Sequence, residues 1–285
     1  MSDGVEILQA CRLSVILPLR GNRARAELGV RSLLEQADPI GTEIIAVDDD
    51  PDGSTIDYLK GVFPEAVREL RLRFHACSRR TGDWGWIKNE GAQVAQGAYL
   101  SFLHPEETWQ SGGLARVEPL LYGNDLILAS DSPEVGDPAA TSSAGDGILR
   151  LLESGRPVKS SLLIRRALWD EIGGFPEGYS GLPFPQKLPG DENYELWLRA
   201  LILLLKTDRR ARFAWVANRY IVSAPTVAQW NSRIQTLKQA ISLGKLAPQL
   251  PRQYWALLGM KAVGTVREGW ARRMRERKKK KSISD

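Results

Sequence analysis

The chain has 285 residues, which allows one large α/β domain or two modest ones. Its 43% hydrophobic and 26% charged content excludes a disordered or fibrous protein. The net charge of +5 is unevenly placed: Arg252 to Lys281 holds eleven basic and two acidic residues, leaving −4 on the remainder.

Two cysteines, Cys11 and Cys77, exclude a disulfide scaffold, and with only His75 and His104 beside them a structural zinc cluster is not expected. Acidic residues precede the first apolar run, unlike a secretory signal, and no stretch approaches the ~18 apolar residues of a membrane span. These features predict a soluble cytoplasmic protein.

In chain order, Leu13 to Leu17 reads as a strand and Ala26 to Gln36 as a helix, with Leu28, Val30, Leu33 and Leu34 at helical spacing. Glu43 to Val47 is a second strand, followed by a helix over Ile56 to Val62. Ser54-Thr55-Ile56-Asp57 has capping-box spacing ahead of that helix. Arg71 to Ala76 reads as a strand, Ile87 to Gln96 as a helix and Ala98 to Leu103 as a fourth strand. This alternation predicts βαβ units and a mainly parallel sheet.

A fifth apolar run, Asp125 to Ala129, leads into a polar surface loop from Ser130 to Gly147. Strand Ser160 to Ile164 and helix Arg166 to Ile172 follow. The next loop, Gly173 to Gly190, holds five glycines and four prolines with Phe175, Tyr179 and Phe184 among them. A long aromatic-bearing loop of this kind is expected to cover a site. Asp191 to Lys206 is a strong helix, and from Thr226 the chain is helical in character apart from a break near Pro248 and Pro251.

Three groups of residues have chemical potential. Val47 runs into Asp48, Asp49 and Asp50 at the carboxyl end of a strand, where open α/β sheets bind ligands. A solvated turn explains the same residues. His104, Glu106 and Glu107 follow the fourth strand, where oxygen and imidazole donors suit Mg²⁺ or Mn²⁺. Acids favouring a helix dipole are the alternative there. Asp191 and Glu192 open an apolar helix beside the glycine-rich loop and either supply a general base or complement the dipole. The chain has no P-loop, no G-x-G-x-x-G fingerprint and no complete nucleophile elbow.

Taken in order, SVILPLRGNRARAELGVRSLLEQ, EIIAVDDDPDGST, NEGAQVAQGAYLSFLHPEETW, SSLLIRRALWDEIGGFPEGY and GDENYELWLRA resemble the family 2 nucleotide-sugar glycosyltransferases of the GT-A fold. The resemblance covers about Arg12 to Leu205. It implies an α/β, Rossmann-like, mainly parallel sheet flanked by helices. A catalytic domain is expected over residues 1–222, with a nucleotide-sugar half at 12–109 and an acceptor half at 110–222. A helical extension occupies 223–285.

Carried over by position, Pro18, Leu19 and Arg20 would line the nucleotide pocket. Asp48, Asp49 and Asp50 would bind base or ribose, and Lys88, Asn89, His104 and Glu106 would approach the donor. Glu106, His104 and Glu107 would hold Mn²⁺ or Mg²⁺, although the family's Asp-any-Asp is His104-Pro105-Glu106 here. Glu192, with Asp191 beside it, would be the catalytic base of an inverting transfer, and Trp84, Trp86 and Phe184 are sugar-stacking candidates. Core packing is the ordinary use of such tryptophans.

The implied partners are a nucleotide sugar, UDP by family expectation, and a glycan or lipid-linked acceptor in surface polysaccharide or glycoconjugate synthesis. A degenerate glycosyltransferase that binds nucleotide or glycan without turnover is the alternative. Beyond Gln253, Trp255, Leu258, Ala262, Val266 and Trp270 share a helical face, and eight basic residues follow from Arg272 to Lys281. Such a segment suits either an anionic membrane surface, placing the protein peripherally on the inner face, or packing on the domain with a solvated tail. A terminal basic block on an acidic body, without a recognisable module, does not predict nucleic-acid binding.

Overall fold

The structure is a computed structural model that describes residues 12–19, 23–36, 38, 41–49, 52–105, 107–130, 144, 162–175, 191–207, 209, 212–217 and 221–223. Met1–Glu153 with Pro157–Ala228 forms one compact unit, and Ser154–Arg156 with Gln229–Asp285 forms another. All described residues belong to the first. The tail expected to be helical, and most of the two long loops expected at 130–147 and 173–190, lie outside them.

Seven strands form the main sheet: β1 (Leu13–Leu19), β2 (Thr42–Asp48), β3 (Leu72–Ala76), β4 (Tyr99–Phe102), β6 (Leu126–Ser130), β7 (Leu163–Arg165) and β8 (Phe213–Ala217). Their order is β3-β2-β1-β4-β7-β6-β8, and only β7 runs against its neighbours. Among the described residues the α-helices are α1 (Arg23–Leu34), α2 (Ser54–Val62), α3 (Pro64–Arg68), α4 (Trp84–Val94), α5 (Gly113–Val117), α6 (Arg166–Ile172) and α7 (Asp191–Lys206). The sheet is therefore mainly parallel and of the α/β class, as expected.

All seven residues of β1 are buried, the mark of a central strand covered on both faces. Chain order reverses between β1 and β4, because β1 leads to β2 on one side while α4 returns the chain to β4 on the other. That switch point opens a crevice at the carboxyl ends of the strands. β1 also outruns β4: Leu13 to Ile16 pair with Tyr99 to Phe102, and Leu103 N–H still reaches Ile16 O. Pro18, two residues further, lies where β4 has already turned away, so its missing N–H costs the ladder nothing.

The α4–β4 connection is held by close backbone approach. A Cβ on Gly91 would lie 2.6 Å from Ile16 and 2.7 Å from Val47, so α4 packs directly on the sheet. A Cβ on Gly97 would lie 2.5 Å from Ser14 N, against backbone that cannot yield. Gly97→Ala is expected to destabilise by about 1–3 kcal/mol, at roughly 2–4 °C of Tm per kcal/mol. An unchanged Tm would show that the β1–β4 edge tolerates the methyl group.

Beside Gly97, buried Glu43 accepts from Ser14 Oγ at 2.6 Å, Gln96 N at 2.5 Å and Arg73 at 2.6 Å. Burial opposes its charge, but these donors more than offset that and hold the carboxyl below its usual range. A carboxyl with a lowered folded pKa stabilises the fold above its unfolded value and loses that contribution as pH falls through the folded one. Tm should therefore fall as pH drops below ~4, and Glu43→Gln should flatten that dependence. An equally steep fall in the variant would locate the acid sensitivity elsewhere.

One local expectation is corrected. Ser54 does not cap α2: the cap is Gly53 at φ 65°, with no side-chain cap bond, and Ser54 N–H donates to Asp52 Oδ1 at 3.0 Å. The left-handed turn supplied by Gly53 brings the chain into the helix one residue before the capping-box register. Short elements also lie where no periodic run exists, namely α3, α5, β8 and a separate ribbon of β5 (Glu107–Trp109) with β9 (Ile221–Ser223).

Candidate functional site

Asp48 ends β2 and Asp49 follows it, both buried. Gly82 N–H donates to Asp49 Oδ2 at 2.9 Å. Asp49 Oδ1 is buried without a hydrogen-bond partner among the described residues, although Asp49 is only 8% exposed. An unsatisfied buried carboxylate oxygen is costly, so it marks a position suited to a ligand donor. Leu19 is buried at the end of β1 beside Pro18, while Arg20 and Asp50 fall outside the described residues.

The loop that carries Gly82 is anchored from α4. Glu90 binds His75 Nε2 at 2.8 Å and accepts from Ser78 Oγ at 2.7 Å. Burial raises the Glu90 pKa, but the hydrogen bonds from His75 and Ser78 outweigh it and the net shift is downward. Cys77, in the same loop, is pushed up to about 12 by burial first and then by the charges of Asp49, Glu90 and Asp48. Its thiol stays protonated and is no nucleophile.

Beyond β4 the backbone turns sharply, with Glu107 N–H donating to His104 O at 2.9 Å. Glu107 returns the favour through Oε2, which accepts from His104 N–H at 3.2 Å, and it is buried at the start of β5. Its carboxylate thus closes its own turn through one oxygen. His104 is half-buried and its ring lies 5.3 Å from that of Trp84, while Glu106 falls outside the described residues. No group of three or more His, Cys, Asp or Glu side chains converges as a metal site among the described residues.

Trp86 is not an open platform on the face that Arg79 covers, with the guanidinium 3.8 Å from the ring centroid. Phe184 lies outside the described residues.

Lys88 and Asn89 sit on α4 near the crevice and reach toward α7 and the turn after α6. Lys88 Nζ donates to Asn193 Oδ1 at 3.0 Å and lies 4.8 Å from the Phe175 ring centroid. Asn89 Oδ1 accepts from Phe175 N at 2.9 Å while its Nδ2 donates to Phe175 O at 3.0 Å.

Asp191 and Glu192 occupy the first turn of α7, as anticipated, though their side chains are outside the described set. Among the described residues of that turn Asn193 is buried, and it shares the inward face with Trp197, Ala200 and Leu204. Reading outward from that apolar stripe would have placed Asn193 at the site; attention to the acids alone passes over it.

No family model matches the chain. It is 32% identical over 136 residues to the O-antigen biosynthesis protein RfbC of Myxococcus xanthus, covering 46% of this chain and 11% of that protein. The match therefore spans about a tenth of the relative. Among solved structures, S. aureus TarS 1-349 superposes with a TM-score of 0.57 at 16% identity, over 81% of this chain and 65% of that one. The mannosyltransferase PcManGT from Pyrobaculum calidifontis, in complex with GDP-Man and Mn²⁺, gives 0.54 at 15% identity, over 90% and 80%. Glucosyl-3-phosphoglycerate synthase from Mycobacterium tuberculosis, with Mg²⁺ and UDP, gives 0.51 at 16%, over 82% and 79%. These likenesses establish the fold as GT-A, in agreement with the expected resemblance.

Proposed function

We propose that this chain is a glycosyltransferase that moves a sugar from a nucleotide-sugar donor to a hydroxyl of a glycan or lipid-linked acceptor. The observation that carries this reading is the buried, unpartnered Oδ1 of Asp49 at the switch-point crevice of a GT-A sheet. One free acceptor oxygen matches a single imide N–H of uracil. Guanine offers two adjacent donors and would call on both carboxylate oxygens, one of which Gly82 already engages. UDP is accordingly the proposed carrier.

In the proposed inverting displacement, the acceptor oxygen bonds the anomeric carbon as the carbon–oxygen bond to the diphosphate breaks. Glu192 takes the hydroxyl proton, with Asp191 beside it, and UDP departs with the electron pair. His104 and Glu106 are the residues proposed to hold a divalent cation. When bound, that cation would offset charge on the leaving diphosphate. Trp84 remains the aromatic candidate for a sugar face, and the tail beyond Gln253 is proposed to seat on an anionic membrane surface when the acceptor is lipid-linked.

A second reading, a degenerate transferase that binds without turnover, is favoured by one observation. The chain carries His104-Pro105-Glu106 where the family it resembles has Asp-any-Asp, so an imidazole replaces one acid and the other carboxylate is longer. Thermal-shift screening of UDP- and GDP-sugars, with and without Mn²⁺, tests the donor assignment. Stabilisation by UDP-sugars is expected, whereas indifference to every nucleotide would remove both readings.

A further inference from the structure

Lys88 is 3% exposed, and an ammonium that deep is costly unless held by specific partners. One of those partners, Asn193, lies 105 residues away in the chain and is itself 5% exposed. The next residue, Asn89, holds both backbone groups of Phe175. Gly174, at φ 71°, sits so close that a Cβ there would lie 2.8 Å from Asn89 Oδ1. From the other side, Arg199 of α7 donates to Ile172 O and to Gly174 O, the latter at 2.6 Å. The root of the glycine-rich loop and the first turn of α7 are thus fastened to two consecutive residues of α4. That same helix carries Glu90, which anchors the loop behind Asp49.

We propose that Lys88 is a positioning residue, which sets the acidic first turn of α7 against the donor crevice through its hydrogen bond to Asn193 and does not contact the nucleotide. This rests on the reading of Asp191 and Glu192 as the base pair of a transferase. The apolar stripe of α7 contributes non-directional burial, and the directed bonds of Arg199 tie the helix to the Ile172–Gly174 turn, leaving its first turn to the Lys88–Asn193 bond. A directed ammonium–amide bond beside the acids fixes the register. Misplacement near 1 Å is worth about 10²-fold in rate, so such a fastening matters for turnover more than for binding.

Amide hydrogen exchange on the full chain reads the link without turnover. In Lys88→Met, peptides covering residues 173–175 and 191–196 should exchange faster, while UDP binds with the affinity of the unaltered protein. Asn193→Leu should do the same, and the double variant should add nothing further, because both changes remove one bond. Asn193→Asp keeps an acceptor oxygen in place and should restore protection. Transfer should fall about 10²-fold in kcat with KM for the donor unchanged. Unchanged exchange in those peptides, additive double-variant effects, or UDP affinity falling in step with kcat would overturn the proposal. If exchange responds as expected but no donor is ever turned over, the link stands and the transferase reading fails.

Discussion

Glu192→Gln is expected to lower sugar transfer by about 10²–10⁴-fold while leaving UDP-sugar affinity unchanged. The amide keeps the size and hydrogen-bonding reach of the side chain but cannot take a proton, so the loss isolates general-base chemistry from binding. Asp191→Asn is the companion variant and should have the smaller effect. The helix register supports this choice of position. α7 runs from Asp191 to Lys206, and position 192 stands one turn before the buried Leu196. Steady-state transfer and equilibrium binding on the same preparations check it. Full activity in Glu192→Gln, with a large loss in Asp191→Asn, would move the base by one residue.

Asp49→Ala should weaken UDP binding by roughly 10–100-fold. A hydrogen bond to a charged group contributes about 1.5–3 kcal/mol, and each 1.4 kcal/mol is about tenfold in affinity. The effect should be larger for UDP than for GDP, because the free oxygen is matched to one imide donor. The variant also releases Gly82 N–H, so a Tm measured alongside separates lost recognition from a loosened loop. Equal weakening of both nucleotides, or none, would place the base elsewhere in the crevice.

Much of this architecture is legible in the sequence because its signals are long. β1 and β2 are near-continuous apolar runs, and α7 carries sixteen residues of amphipathic pattern, so their identities and order follow directly. The elements that escape are three to five residues long, such as β5, whose strand character depends on β9 more than 100 residues later. At the site, the acids after β2 and at the start of α7 are visible as residue types at the ends of periodic runs. Which oxygen of Asp49 is free is not, since Gly82 arrives from a separate loop. Lys88 and Asn89 show the same boundary. Their position on α4 puts them near the donor crevice, but only the fold shows them reaching across to Asn193 and Phe175. Adjacency groups Glu107 with His104 and Glu106, and only the fold shows one of its carboxylate oxygens meeting the His104 backbone.

The central claim is that a nucleotide sugar bound at the β1–β2–β4 crevice gives up its sugar. The direct measurement is release of free UDP from a panel of UDP-sugars with Mn²⁺, followed with and without added glycan or lipid-linked acceptors. UDP release from at least one donor, accelerated by an acceptor and lost in Glu192→Gln, is the predicted result. UDP-sugar binding without release under any of these conditions would contradict transfer and leave a nucleotide-binding protein on a glycosyltransferase fold.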